Sequence, residues 1–170
     1  MPTLTPVEQP EFLTAIHYIA TRVRESSWAP HFIIGVGRGG LTPAVYLSHA
    51  SGVPMLSIDY SASVPDFAAE LLVKLGARSA NERLLFVDDI NDSGSTIAHL
   101  RGELAAAGGD MANVRFAVLI DNVVSAEQVD YRFRTIDRSK NKDWFVFPWE
   151  AVSPVDKVVE DAAVVPARLA

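Results

Sequence analysis

The sequence predicts an α/β fold in which a parallel sheet is flanked by helices, with a small C-terminal lobe. Three observations support this prediction. Short apolar runs alternate with longer segments whose apolar residues have helical spacing. Two of these runs end in turns rich in glycine or in small polar residues, the place where parallel sheets bind ligands. From Asp130 onward large and polar residues alternate at strand spacing and the helical alternation stops.

The bulk composition indicates one ordinary domain. The chain has 170 residues, of which 49% are hydrophobic, enough for a single core. It has no cysteine, no signal-like start and no apolar run long enough to cross a membrane, so we expect a cytoplasmic protein. A net charge of -6 argues against general binding to nucleic acid or to a membrane surface. An anionic ligand would have to be held by local groups in a pocket.

The first predicted element is a helix over residues 7–25. Phe12, Ile16, Ile19 and Val23 recur there at helical spacing and form one apolar stripe. Four short runs rich in Ile, Val, Leu and Phe then follow, with the composition of strands that are buried on both faces. These predicted strands are residues 31–37, 55–59, 84–88 and 114–120.

Two helices are predicted between these strands. Thr42 can cap a helix that has Pro43 in its first turn and ends near Gly52. The second runs from Ser95 to Ala107, where two glycines stop it.

Two segments fall outside the regular alternation. Residues 60–83 are too long for a plain connection, so we interpret them as a mobile lid with a short helix that begins at Asp66 and ends at Gly76. The second segment is the C-terminal lobe. We expect one domain, with a core of about residues 28–128. A small lobe, which we call the hood, would comprise about residues 129–155 and the N-terminal segment.

The stretch LLFVDDINDSGST, residues 84–96, carries the strongest chemical signal. Its final part, Asp92–Thr96, can surround a phosphate with backbone N–H groups and hydroxyls. Asp88 and Asp89 would repel such an anion and need a different ligand. Ionised carboxylates only accept hydrogen bonds, so this pair suits vicinal sugar hydroxyls or a hydrated magnesium ion. A ribose 5-phosphate satisfies both halves of the stretch.

The glycine turn GVGRGG, residues 35–40, allows an alternative. Its G-x-G-x-x-G spacing, with Asp59 about twenty residues further on, is the dinucleotide fingerprint of NAD-dependent oxidoreductases. Two observations argue against that function: the predicted helix begins only at Thr42, and the chain has no obvious second substrate domain. Arg38 instead favours a dianion or a pyrophosphate held by guanidinium and backbone amides.

The segment VDDINDSGST resembles the phosphoribosyl-diphosphate signature of the type I phosphoribosyltransferases. That signature has apolar residues, two acids, two variable residues, an acid or hydroxyl, and then Thr/Ser-Gly-x-Thr. The resemblance implies the type I phosphoribosyltransferase fold, with Asp88 and Asp89 on the ribose hydroxyls and Asp92 as general acid or base. It also implies that the 5-phosphate is bound by the loop Ser93, Gly94, Ser95 and Thr96.

The segment GVGRGGLTPA is similar to the pyrophosphate loop of the purine phosphoribosyltransferases, which often has a non-proline cis peptide just before the arginine. By this likeness Arg38, Gly39 and Gly40 bind pyrophosphate. Tyr60 and Ser61 would form the lid pair that closes over the reacting centre.

The segment KDWFVFPWE resembles the base-binding hood of the short xanthine-guanine and hypoxanthine phosphoribosyltransferases. The resemblance implies that Trp144 stacks on the base and that the backbone of Phe145 reads the base edge. It further implies that Glu150, with Asp89, contacts magnesium.

Two positions depart from the pattern of these enzymes. The lysine that usually donates to a 6-oxo group after the fourth strand is absent, and Asp121 and Asn122 stand there instead. Asn122 could donate through its amide, whereas Asp121 could accept from an amino group and shift preference toward adenine. Ala69 stands where the bacterial xanthine-guanine enzymes carry an arginine. The arginines near the hood have the pattern of a solvated strand edge, and they could also line a subunit contact: they are Arg132, Arg134 and Arg138.

The resemblance as a whole implies transfer of the 5-phosphoribosyl group from phosphoribosyl diphosphate to a nucleobase, in the first place a purine, with Mg2+ as cofactor. The product would be a nucleoside 5'-monophosphate. The alternative within the same fold is a non-catalytic sensor of phosphoribosyl diphosphate or of a nucleotide. Members of this family usually form dimers or tetramers, so a homo-oligomer is expected.

Overall fold

The computed structural model describes residues 3–60 and 68–164 of the chain. Its strands are Leu4–Pro6 (β1), Phe32–Val36 (β2), Met55–Ile58 (β3), Leu84–Asn91 (β4), Val114–Asn122 (β5), Tyr131–Ile136 (β6) and Trp144–Val146 (β7). Its α-helices are Gln9–Glu25 (α1), Gly37–Ser51 (α2), Ala69–Ser79 (α3), Ser95–Ala106 (α4) and Val155–Ala163 (α5).

Five strands form the main sheet, in the order β3-β2-β4-β5-β6, and every neighbouring pair is parallel. Helices cover both faces. On β4, Leu85 and Val87 are buried against α1 and α2, whereas Leu84 and Phe86 are buried against α3 and α4. This is the alternation that a strand buried on both faces requires, and it confirms the predicted α/β class.

The central strand β4 is longer than predicted. It continues past Asp88 as far as Asn91, and its pairing with β5 continues to Asn91 and Asp121. The adjacent carboxylates of Asp88 and Asp89 therefore lie on a strand and not on a loop, which fixes their backbone.

Helix α2 begins five residues earlier than predicted. It starts at Gly37, directly after β2, and Pro43 lies inside the helix and not in its first turn. Pro43 is buried, and local signals alone did not reveal that the turn before it is helical. Gly37 has a φ of 54°, and an added Cβ there would overlap the Tyr60 carbonyl oxygen. No peptide bond of the described residues is cis, so the bond before Arg38 is trans.

Gly40 gives a stability prediction with an internal control. A Cβ at Gly40 would overlap the Val87 carbonyl oxygen of β4, whereas one at Gly102, on the exposed side of α4, meets nothing within 4 Å. We expect Gly40→Ala to lower the free energy of unfolding by about 2 kcal/mol or more, because backbone must move. Gly102→Ala should raise it by about 0.5–1 kcal/mol, because alanine favours the helix. Urea denaturation of both variants measures this, and equal stabilities would contradict the close packing of α2 on β4.

The segment interpreted as a lid contains helix α3. This helix starts at Ala69, continues past Gly76 to Ser79, and buries Leu72 and Leu75 in the core that it shares with α4. The helical part is therefore a packed layer of the fold and not a lid. Asp66 was predicted to open the helix and Ser61 to close over the site, and both residues lie outside the described residues.

The hood is smaller than predicted. Strand β6, which was placed in it, is the edge strand of the main sheet and pairs with β5. The remaining hood strand, β7, pairs in parallel with the N-terminal β1, and these two form a separate small sheet. Helix α5 follows and was not predicted. Within residues 3–60 and 68–164, no helix is long and apolar enough to cross a membrane.

Candidate active site

A cavity of about 230 Å3 lies at the carboxyl end of β4. One wall is formed by the end of β4 and the turn that follows it, residues 88–97. The opposite wall contains Arg138 and residues of β7 and the turn beyond it, namely Trp144, Phe145, Phe147 and Glu150. The small sheet thus closes over the place where α/β folds bind ligands.

Asp88 and Asp89 form the acidic side of this cavity. The Asp89 backbone N–H donates to Asp88 Oδ1 at 2.9 Å. Successive side chains of a strand point to opposite faces, so the two carboxylates leave β4 in different directions, and both border the cavity. Burial, reinforced by the neighbouring Asp89 charge, raises the pKa of Asp88 well above its ordinary value. Burial together with the Glu150 charge raises the pKa of Asp89 to about 7. The pair is therefore suited to a ligand that offers hydrogen-bond donors or positive charge.

The glycine turn packs directly on Asp89. A Cβ added to Gly39 would lie 2.5 Å from Asp89 Oδ2, so a larger residue there would have to displace this carboxylate. Burial raises the pKa of Glu150, while its bond from the Phe147 N–H and the Arg38 charge lower it in part. Arg38 is thus close enough to act on Glu150 electrostatically, although it does not line the cavity itself.

The turn Asp92–Thr96 opens helix α4 toward the cavity. Gly94 is the N-cap with a φ of 90°, and a Cβ there would lie 2.7 Å from the Glu127 backbone nitrogen. The N-cap makes no side-chain capping bond, and the first turn contains no acid. Ser93 and Ser95 are exposed and share a hydrogen bond of 3.0 Å between their hydroxyls. The Ser95 N–H donates to Ser93 Oγ at 3.3 Å, and the N–H groups that follow it in the first turn of α4, at the positive end of the helix dipole, can receive an anion.

Asp92 is held by Arg138. Arg138 Nε donates to Asp92 Oδ1 at 2.6 Å and Nη2 donates to Oδ2 at 3.3 Å, a two-pronged ion pair. The Arg138 side chain is only 3% exposed, and its Nη1 also donates to the Asp143 carbonyl oxygen at 2.6 Å. This arginine was predicted to lie on a solvated edge, and that prediction was wrong. It connects the turn Asp92–Thr96 to the segment leading into β7.

Asn122 and Asp121 do not face the cavity. The Asn122 amide donates to the Asp92 carbonyl oxygen at 2.8 Å, and its Oδ1 accepts from the Arg138 backbone N–H at 3.1 Å. Asp121 Oδ1 accepts from the Asn91 amide at 2.9 Å, and its Oδ2 lies 3.6 Å from Arg132 Nε. Neither side chain borders this cavity, so the contacts with a base that were predicted for Asn122 and Asp121 stay predictions.

The aromatic residues divide into two groups. Trp144 and Phe145 border the cavity, and the Phe145 ring lies 5.5 Å from the Arg138 guanidinium. Trp149 stacks on Phe147 at 4.9 Å and contacts Phe12 of α1 edge-on, which ties the region after β7 to the core. Phe147 also borders the cavity.

The class of this protein follows from the match of its sequence to a protein family. The model of the family described as "Phosphoribosyl transferase domain" matches residues 6–153. The chain belongs to this family. Both turns and strand β7 lie within the matched range, and the chain is an enzyme of the phosphoribosyltransferase class.

Solved structures agree with this assignment. A purine phosphoribosyltransferase from Pyrococcus horikoshii Ot3 is 27% identical, with a TM-score of 0.66 over 89% of this chain and 97% of its own. The Helicobacter pylori xanthine-guanine-hypoxanthine enzyme is 18% identical, with a TM-score of 0.65 over 93% and 99% of the two chains. A Neisseria gonorrhoeae protein with bound ppGpp is 20% identical, with a TM-score of 0.66 over 96% and 98%. At 18% and 20% identity, the similarities to the Helicobacter pylori and Neisseria gonorrhoeae proteins support the fold alone.

The phosphoribosyltransferase family excludes the oxidoreductase alternative, although one reason first given against that alternative was wrong. Helix α2 does begin within the glycine turn, as it would in a dinucleotide fold. The family match and the acidic strand end decide between the two functions, since the glycine spacing fits both.

Sequence reasoning about this phosphoribosyltransferase missed Arg138 as a site residue. A signal was present, because Arg138 comes two residues after the end of β6 and strand carboxyl ends carry the ligand site. The assignment of YRFRTI to the hood concealed it. Of the other predicted residues, the Tyr60 carbonyl packs on Gly37 and its ring lies 5.3 Å from His99.

Proposed function

We propose that the enzyme transfers the 5-phosphoribosyl group from phosphoribosyl diphosphate to a purine base. One observation carries this proposal: a single cavity joins an acid pair, an open helix start and a fixed carboxylate. The purine phosphoribosyltransferase from Pyrococcus horikoshii supports the class of base.

The sugar phosphate would be held by the acid pair of β4 and by the turn Asp92–Thr96, which we call the phosphate turn. The carboxylates of Asp88 and Asp89 accept hydrogen bonds from the ribose hydroxyls, and the N–H groups and hydroxyls of Ser93, Ser95 and Thr96 receive the 5-phosphate. Neither group can replace the other, because the carboxylates would repel a phosphate and the helix start would repel a cation.

The residues present fit a magnesium ion. Asp89 and Glu150 are close enough for the charge of one to raise the pKa of the other, as expected of two carboxylates without a cation between them. Mg2+ is usually held by one or two carboxylates together with waters and substrate oxygens, a donor set that Asp89 and Glu150 could complete with the substrate. When bound, Mg2+ would neutralise charge on the departing pyrophosphate. Arg38 and the N–H groups of the glycine turn, including those of Gly39 and Gly40, would hold the same leaving group.

Asp92 would accept the proton of the incoming base. A neutral purine has one protonated and one unprotonated nitrogen in its five-membered ring, so attack through nitrogen 9 leaves the proton on nitrogen 7. The bond from sugar carbon 1 to pyrophosphate breaks and its electron pair leaves with pyrophosphate, while nitrogen 9 bonds to the sugar. The nitrogen 7 proton passes to the Asp92 carboxylate. Trp144 and the backbone of Phe145 would hold the base plane.

A pyrophosphate-release assay tests this function. The protein is incubated with phosphoribosyl diphosphate, Mg2+ and one base at a time from guanine, xanthine, hypoxanthine, adenine and uracil. We expect release only when a purine is present. Calorimetry with the sugar diphosphate alone is the control. Binding without release for any base would contradict transferase activity and favour the sensor alternative, and absence of binding would contradict the assigned site.

A further inference from the structure

We infer that Arg138 selects the base, and that the enzyme accepts purines with an oxygen on carbon 6 and rejects adenine. This inference rests on the proposed function and names the substrate class for the same cavity. It assigns specificity to a residue beyond the end of β6, away from the end of β5, where Asp121 and Asn122 are turned to other partners.

The first argument is the number of donors on the guanidinium. Arginine has five N–H groups. Within the described part of the chain, two of them bond the Asp92 carboxylate and two bond the carbonyl oxygens of Asn141 and Asp143. One N–H on Nη2 is left for a ligand, and it belongs to a side chain that borders the cavity while being almost fully buried.

The second argument is the order of acceptor and donor along this wall. Asp92 presents carboxylate oxygens, and the guanidinium beside it presents only donors. A purine that donates its nitrogen 7 proton to Asp92 brings its carbon 6 substituent toward the neighbouring position. An oxygen there accepts from Arg138, whereas the amino group of adenine places a donor against a cation that cannot accept. An unpaired buried donor is a strong basis for discrimination.

The third argument is rigidity. Arg138 is held at its backbone by Asn122 Oδ1, at its Nη1 by the Asp143 carbonyl and at its fork by Asp92. It therefore cannot turn away to accommodate a base with the opposite pattern. A flexible lysine would not provide this fixed geometry.

The test measures kcat/KM for hypoxanthine, guanine and adenine in the wild type and in Arg138→Met, Arg138→Lys and Arg132→Gln. Arg132 lies on β6, is half exposed and pairs with Asp121 outside the cavity. Calorimetry with phosphoribosyl diphosphate and Mg2+ checks in each variant that the sugar site is intact.

We expect the wild type to prefer the oxopurines to adenine by about 100-fold or more. Arg138→Met should lower the oxopurine values by about 100-fold and the adenine value much less, so that the preference narrows. Arg138→Lys should restore part of the preference, and Arg132→Gln should leave it unchanged. If Arg138→Met no longer binds the sugar diphosphate, Arg138→Lys replaces it in the test: a preference for oxopurines that is smaller than in the wild type supports the inference, and an unchanged preference overturns it.

Adenine as the best substrate of the wild type would overturn the inference while leaving the proposed function intact. An equal loss for all three bases, with sugar binding retained, would also overturn it. Failure of the proposed function looks different, because the wild type would then release no pyrophosphate with any base.

Discussion

Asp92→Asn is expected to lower kcat by about 10²–10⁴, the usual contribution of a positioned acid or base. The amide retains the shape of the side chain but cannot take a proton from the base. The affinity for phosphoribosyl diphosphate should change by no more than about threefold, because the Asp92 carboxylate is directed at Arg138 and not at the helix start that we propose as the phosphate site. Single-turnover kinetics and calorimetry separate the two quantities.

The matched control is Glu127→Gln. Glu127 also pairs with an arginine, Arg101, beside the phosphate turn, but it lies outside the cavity. Its loss removes the same charge and one ion pair without touching the reacting centre. Full turnover in Asp92→Asn, or an equal loss in both variants, would contradict the role given to Asp92. Thermal denaturation must accompany the kinetics, because the substitution leaves the buried Arg138 without its anion, which is destabilising.

The parts of the fold that the sequence predicted are those with a local cause. The apolar runs of β2, β4 and β5 are long enough to show that both faces are buried, and the stripe of α1 is visible over four turns. Where local signals conflicted, the prediction failed. Pro43 indicated a helix start, but tertiary packing of Gly40 on β4 extends the helix back through the glycine turn.

The candidate site shows the same division. The acid pair and the phosphate turn are contiguous in sequence, so their composition and order could be interpreted directly. The opposite wall of the cavity is assembled from distant segments: Arg138 lies 46 positions from Asp92, and β7 pairs with β1 at the other end of the chain. Asn122 could be identified as a residue near the site, but the direction of its amide depends on Asp92 and Arg138 together. No local pattern encodes such a three-way contact.

The second large effect is expected from Asp89→Asn, which should stabilise the ligand-free protein while weakening its binding of phosphoribosyl diphosphate. The folded protein holds the pKa of Asp89 at about 7, against an ordinary value of 3.8. Between these values the folded state retains a proton that the unfolded state releases, so wild-type stability falls as the pH rises from about 4 to 7. Asparagine has no such proton, and the advantage of the variant should grow over that window.

Melting temperatures at pH 5 and pH 8 measure this difference. At pH 8 the variant should exceed the wild type by about 1–2 kcal/mol, reduced from the full pKa difference because the cavity admits solvent, which is about 2–8 °C at this chain length. At pH 5, which lies about a third of the way from 3.8 to 7, the difference should be about a third as large, and it should be small by pH 4. Glu103→Gln, which removes one charge from the exposed side of α4, is the control and should show no such pH dependence.

Binding should change in the opposite direction. Calorimetry at pH 8 with Mg2+ should show an affinity for phosphoribosyl diphosphate about 100-fold lower in Asp89→Asn, because a charged acceptor for the sugar and a ligand for the metal are lost together. In the wild type, affinity should also fall as the pH drops below about 7, since Asp89 must ionise to bind. If Asp89→Asn is less stable than the wild type at pH 8, or binds phosphoribosyl diphosphate equally well, then burial of the ionised Asp89 carboxylate is not a cost that serves ligand binding. If instead Asp89→Asn is more stable and binds more weakly, the unfavourable burial of two acids is a cost in the free protein that binding of sugar and metal removes.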